Sequence, residues 1–331
     1  MEKLVELKLD RLIDLFKQIS MEFKWQQPLI NHFAALTYTV NKKDFDKVKI
    51  KDVRDYIKKT TGIFSSYRGA QLMMLSSLLA SKYNFPIREF DKIHNYHRRM
   101  KDVGFKNSIY LPIANYILLD TCKEQYVDMR ISKAIIIYKE MKKKHRWLTS
   151  GEDYPLSILL ANSNDSVDKT IESMEECSKL LNENGFEKNN GVQFLSYILG
   201  FSHEDNIVKV LRCKKAFIVL KDNKIKVYAG NYAIIGLLSI IDEEGHEAID
   251  QVIKVVEILK SNKKYKWLTK QTYLYTAAFL VCNVYIEKIK NKKKQIHMDG
   301  KKISIDNLIS AQIVATIAQA NGVTKLSKGN G

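Results

Sequence analysis

Proline and cysteine are both scarce, with four of each among 331 residues. Cys122, Cys177, Cys213 and Cys282 lie far apart and form no CxxC pair. Each falls in an apolar helical pattern, which predicts free thiols in a reducing compartment rather than a disulfide framework. A Gly-rich phosphate loop, a GxSxG elbow and an HExxH pair are all missing, so no catalytic set is legible. Uncharged runs stop at about 18 residues, the lower edge for a membrane span. The first residues, Met1 to Glu6, carry early acids and no apolar signal core. These absences predict a cytoplasmic protein with no membrane association.

Arginine is also scarce, at nine of the 54 basic residues. The formal charge of +17 invites nucleic acid as a partner. Bidentate reading of phosphate and guanine favours arginine over lysine, however, so a Lys-dominated charge argues against sequence-specific recognition.

What the chain does have is a period. Phe64, Phe105, Trp147, Phe186, Tyr228 and Trp267 follow one another at separations of 39 to 42 residues. After each comes a polar stretch and then an uncharged apolar segment: 69–81, 107–119, 154–164, 189–203, 227–241 and 271–286. A helix without a charged face is buried on most sides. Between these segments the pattern is amphipathic, as in Val167, Ile171, Met174 and Leu181 against Asp168, Glu172 and Glu175. The expected fold is therefore all-α: a two-layered α-α helical-repeat array of about six helix pairs with a period near 40, either a compact superhelix or a partly closed α/α toroid.

Boundary residues agree. Pro28, Pro86, Pro112 and Pro155 fall near helix starts, and Gly104 and Gly185 where outer helices stop. Thr149 to Glu152 reads as a capping box. The segment from Phe217 to Tyr228 fits either a helix end with a loop or a small β-hairpin, and repeat register favours the former. Residues 1–62 read as an N-terminal helical cap and 63–287 as the helical-hairpin repeats. Residues 288–331 read as a basic linker, a final Ala-rich helix over 304–320 and a disordered tail.

Two segments carry a family resemblance: Trp147-Leu-Thr-Ser-Gly-Glu-Asp-Tyr-Pro-Leu-Ser-Ile-Leu-Leu-Ala161 and Tyr56-Ile-Lys-Lys-Thr-Thr-Gly-Ile-Phe-Ser-Ser-Tyr-Arg-Gly69, together with the Ala-rich last helix. In these the chain resembles the bacterial domain-of-unknown-function 4003 family over most of its length. The resemblance implies a helical cytoplasmic protein and carries over no functional residue.

Candidate sites are few. Glu152 and Asp153 pair two carboxylates, suited to acid–base work or a cation, but acids at a helix start also serve as caps. Tyr67 and Arg68 precede the first uncharged helix, where an arginine among aromatics can clasp an anion. Lys292, Lys293 and Lys294 head a basic cluster suited to an anion or nucleic acid. His94 and His97 share a helical face, but zinc needs a third ligand, so no metal and no cofactor is expected. His203-Glu204-Asp205 and Gly245-His246-Glu247 read as openings of outer helices. The expected function is non-catalytic binding of a protein, a peptide or a small ligand. The alternatives are an enzyme with its site inside a toroid, and non-specific nucleic-acid binding through the Lys-rich surface.

Overall fold

A computed structural model describes residues 1–200, 202, 204–242 and 247–295. The expected final helix and tail lie outside these residues, as do His203, Gly245 and His246. Fourteen α-helices and no strand occur among the described residues. The first eight are α1 (Lys3–Glu22), α2 (Pro28–Val40), α3 (Lys47–Thr60), α4 (Ala70–Lys82), α5 (Pro86–Asp102), α6 (Leu111–Thr121), α7 (Val127–Lys144) and α8 (Tyr154–Leu160). The others are α9 (Val167–Glu183), α10 (Asn190–Leu199), α11 (Asn206–Asp222), α12 (Tyr232–Ile241), α13 (Glu247–Ser261) and α14 (Lys270–Gln295).

The chain divides into two compact units, one of residues 7–162 and one of residues 1–6 with those from Ser163 onward. Within the first, α2, α4, α6 and α8 pack successively on one another, with α3, α5 and α7 against them. Within the second, α10, α12 and α14 form the corresponding row, covered by α9, α11 and α13.

Burial follows charge. Every residue of α4 from Gln71 to Ser81 is buried, and every residue of α6 from Leu111 to Leu118. The amphipathic helices bury a single stripe, as α5 does with Phe90, Ile93, Tyr96 and Met100. Inner hydroxyls remain satisfied by bonding back to their own helix. Ser76 donates to the Leu72 carbonyl, Ser77 to that of Met73 and Ser239 to that of Ile235. An uncharged but partly polar layer is therefore compatible with full burial.

The aromatic markers are not equivalent in space. Phe105 and Phe186 are buried, whereas Phe64 and Trp147 are almost wholly exposed. The recurring feature is the residue before them. Gly104, Gly185 and Lys224 adopt φ of 113°, 90° and 59°, and the next amides, of Phe105, Phe186 and Ile225, donate to the carbonyls of Met100, Leu181 and Leu220. This left-handed stop closes α5, α9 and α11 and turns the following side chain into the core. The counterpart of Phe105 and Phe186 is thus Ile225, not Tyr228.

Two other details differ from expectation, the cap at Ser150 and the end of α14, and the favoured alternative holds at 217–228. The capping residue is Ser150 with Asp153 as its reciprocal acid, one residue later than Thr149 with Glu152. Helix α11 runs through Asp222, so 217–228 is a helix end and loop. Helix α14 continues through Gln295, so the Lys-rich stretch starts as helix rather than linker.

Candidate anion-binding cleft

The segment that was ambiguous in sequence lines a cleft of about 670 Å³ in the second unit. Helix α11 presents Lys214, Phe217, Ile218 and Lys221, all on the face that packs toward the end of α9. The left-handed stop then brings Lys224, Ile225 and Lys226 to the rim, while Phe186 and Tyr232 complete the floor. The three rings form a T-shaped cluster: Phe186 to Phe217 at 4.9 Å, Phe217 to Tyr232 at 4.9 Å and Phe186 to Tyr232 at 6.0 Å. Phe105, Tyr138 and Tyr154 repeat the arrangement in the first unit, at 4.9 Å and 4.8 Å for the two close pairs.

Four lysines and no carboxylate line the cleft. Lys214 Nζ donates to Asn184 Oδ1 at 3.3 Å, and Lys226 Nζ lies 5.1 Å from the centre of the Tyr228 ring. The negative end of the α11 dipole explains Lys221. It does not explain Lys214, two turns upstream, or Lys226, beyond the helix. Lys224 occupies a left-handed conformation that costs a non-glycine residue about 1 kcal/mol. Burial raises the pKa of the Tyr232 hydroxyl, with Glu187 adding to the effect, so Tyr232 stays neutral at physiological pH.

The residues singled out from sequence have other partners. Arg68 caps the end of α3: Nη2 donates to the Lys58 and Thr61 carbonyls, each at 2.6 Å, and Nε to that of Gly62 at 3.2 Å. Arg68→Ala should cost about 1–2 kcal/mol. Faster hydrogen exchange in the last turn of α3 would show it, and unchanged exchange there would remove the capping role. Tyr67 is buried against Phe90, and its hydroxyl accepts from Asn115 Nδ2 at 3.2 Å. The same amide lies 3.1 Å from His97 Nδ1, and burial depresses the His97 pKa to about 4. His97 is therefore neutral, with Nδ1 as an acceptor.

Glu152 accepts from the Tyr110 hydroxyl at 2.9 Å, and Asp153 Oδ2 from the Ser150 amide at 2.8 Å. Burial pushes the Asp153 pKa up to about 7. Tyr67 and Arg68 stand at the α3–α4 turn and Glu152 and Asp153 at the α7–α8 turn; none of them lines the cleft. Lys292, Lys293 and Lys294 fall in the last turns of α14, and their side chains lie outside the described residues. No group of three or more His, Cys, Asp or Glu suited to a metal occurs among the described residues. The sequence signal for the cleft was faint: one aromatic residue, Phe217, stands among Lys214, Lys215, Lys221, Lys224 and Lys226. Without knowing that α11 ends in a left-handed turn, they do not converge.

A family model described as "Protein of unknown function (DUF4003)" matches residues 15–314. The chain belongs to this family. The DUF4003 match includes the whole cleft and bears out the resemblance carried by the segments at 56–69 and 147–161. "Uncharacterized protein YeaA" of Bacillus subtilis (strain 168) is 25% identical over 320 residues, covering 94% of this chain and 93% of that protein. No solved structure matches significantly.

Proposed function

We propose that this DUF4003 member is a non-catalytic binding protein whose cleft holds a small anion carrying a flat apolar group. One observation carries the reading: four lysines and three aromatic residues line one cleft that has no lining carboxylate. The ammoniums attract and orient charge, and the rings offer an apolar face. The reading narrows the expected protein, peptide or small-molecule partner to the last of these. It includes a cytoplasmic setting, which suits four free cysteines.

It also includes a helical-repeat body. Helices α5, α7, α9, α11 and α13 begin at Pro86, Val127, Val167, Asn206 and Glu247, a spacing of about 40 residues that supports one repeating unit. Residues 1–62 are its cap, 63–287 its repeats and 288–331 its tail.

Equilibrium dialysis with naphthyl phosphate, inorganic phosphate and naphthol as probes tests the ligand class. Naphthyl phosphate should bind best and lose affinity as salt rises. Replacing Lys221, Lys224 and Lys226 together by Gln should weaken it by about tenfold or more. Equal binding by the triple variant, or no saturable binding of the phosphate ester at low salt, would sink the proposal.

A further inference from the structure

The cleft leaves unexplained two of the three most exposed aromatic residues of the first unit, the third being Trp25. Phe64 is 96% exposed and Trp147 93%, and both stand on turns that join an outer helix to the next inner one. Because outer and inner helices alternate in direction, the α3–α4, α5–α6 and α7–α8 turns share one edge of this unit. They also touch. A Cβ on Gly151 would lie 2.6 Å from Ser108 Oγ, Tyr110 reaches Glu152, and Tyr67 reaches Asn115 in the second turn of α6. The turns are built alike: Ser65, Ser108 and Ser150 each accept from the amide two residues on, at 3.3, 3.2 and 3.2 Å. Ile63 and Ile109 add further exposed apolar surface along the same edge.

The surroundings of these tips are basic. Lys58 and Lys59 end α3, Lys101 lies in the last turn of α5, and Lys142, Lys143 and Lys144 end α7. Lys106 and Arg146 stand on the turns themselves, the latter with its guanidinium 5.9 Å from the Trp147 ring. The acids at this edge are the exposed Asp102, the Tyr110-bound Glu152 and the buried Asp153, while Asp55 and Glu140, one turn back, pair with Lys58 and Lys143 at 3.3 and 3.7 Å. Helix dipoles favour lysines at these ends, but they do not favour bare Trp and Phe beside them.

We infer that this edge adsorbs to the surface of an anionic phospholipid bilayer, with Phe64 and Trp147 entering the headgroup boundary. The shape decides between occupants. Aromatic rings exposed to this degree are convex tips, and a peptide partner needs a groove to bury against. A fluid interface accepts protruding amphipathic rings, and a basic collar holds them against anionic headgroups. This is adsorption and not spanning: no helix among the described residues is long and apolar enough to cross a membrane. It replaces the expectation of no membrane association, which rested on the search for spans and a leader.

Co-sedimentation of the full chain with vesicles tests it. Vesicles of about 30% phosphatidylserine in phosphatidylcholine should bind the protein, and phosphatidylcholine vesicles should not. Raising salt should weaken the binding. The Lys-rich stretch from Lys288 would give some salt-sensitive adsorption by itself, so the deciding comparison is Phe64→Ala with Trp147→Ala. This double variant, altered only at exposed positions, should keep its melting temperature and lose about tenfold or more in partitioning. With Trp25 and Trp267 replaced by Phe, the emission of Trp147 should shift to the blue on anionic vesicles. Absence of binding at low salt, equal binding by the double variant, or an unshifted Trp147 overturns the assignment. So does a double variant that loses polyglutamate binding but keeps vesicle binding, which would make the edge a surface for acidic proteins.

Discussion

Asp153→Asn is expected to be more stable than the parent at pH 8, by about 2–4 kcal/mol, and equal to it near pH 4. Asp153 is only 6% exposed, and burial lifts its pKa from 3.8 to about 7, with Glu152 adding to the rise and the Ser150 amide opposing it. The folded state therefore holds a proton that the unfolded state releases above pH 3.8. Its favourable contribution is complete below that pH and is lost as pH rises through 7, an interval worth up to about 4 kcal/mol. An amide abolishes the titration.

The amide also fits the cap, because the chain uses one at the corresponding turn. Asn231 Oδ1 accepts from the Tyr228 amide at 3.2 Å, as Asp153 Oδ2 accepts from that of Ser150. At Asn231 the nitrogen donates to the Gln271 carbonyl. At position 153 a neutral amide also removes the repulsion from the Glu152 charge, which adds to the rise in the Asp153 pKa. Urea unfolding of parent and variant at pH 4, 6 and 8 measures the difference. Two parallel pH profiles would mean that Asp153 is ionised at no cost in the folded protein.

Phe186→Ala should destabilise the second unit by about 3–5 kcal/mol and lower its melting temperature by about 10 °C. Phe186 is buried, packs edge-on to Phe217 and Tyr232, and follows the left-handed Gly185 that closes α9. Its removal opens a cavity beneath the cleft and releases the turn that aims it. Phe186→Leu keeps most of the volume and should cost about 1 kcal/mol, the share that belongs to the ring edges. Changing the exposed lysines Lys221, Lys224 and Lys226 to Gln should cost little stability while weakening anion binding about tenfold or more. Ligand at about a hundred times the parent's Kd should stabilise the parent by about 2.7 kcal/mol and the lysine variant by about 1.4 kcal/mol or less. Calorimetry with and without ligand separates floor from rim. A Phe186→Ala cost below about 1 kcal/mol would show that the aromatic cluster is not part of the core.

Element type was readable because it depends on short-range pattern. An uncharged run such as 71–81 has no face suited to water, and a single apolar stripe such as Phe90, Ile93 and Met100 has only one to bury. Helix starts at Pro86 and Pro155 and stops at Gly104 and Gly185 were equally local. The marker alignment failed where a side chain's fate depends on the turn before it. Phe64 and Phe105 read alike in sequence, but only Phe105 follows a left-handed glycine that directs it inward. Register slipped by one residue at Ser150 for a related reason: Thr149 and Ser150 are both capping types, and backbone geometry chooses between them.

The candidate site divides the same way. Sequence picked Arg68, Glu152 and Asp153 as residue types able to do chemistry, but the α3 carbonyls, the Tyr110 hydroxyl and the Ser150 amide engage them. It passed over Lys214, Lys221, Lys224 and Lys226, which look like ordinary surface charge on a chain of net +17. By itself the sequence determined the all-helical class, the period near 40 and the contrast between uncharged and amphipathic helices, since each is written in spacing along the chain. Only the tertiary structure decided which rings are core and which are tips, and which lysines share a cleft. Those outcomes depend on backbone direction at a few turns, where one left-handed residue sets the course of every side chain after it.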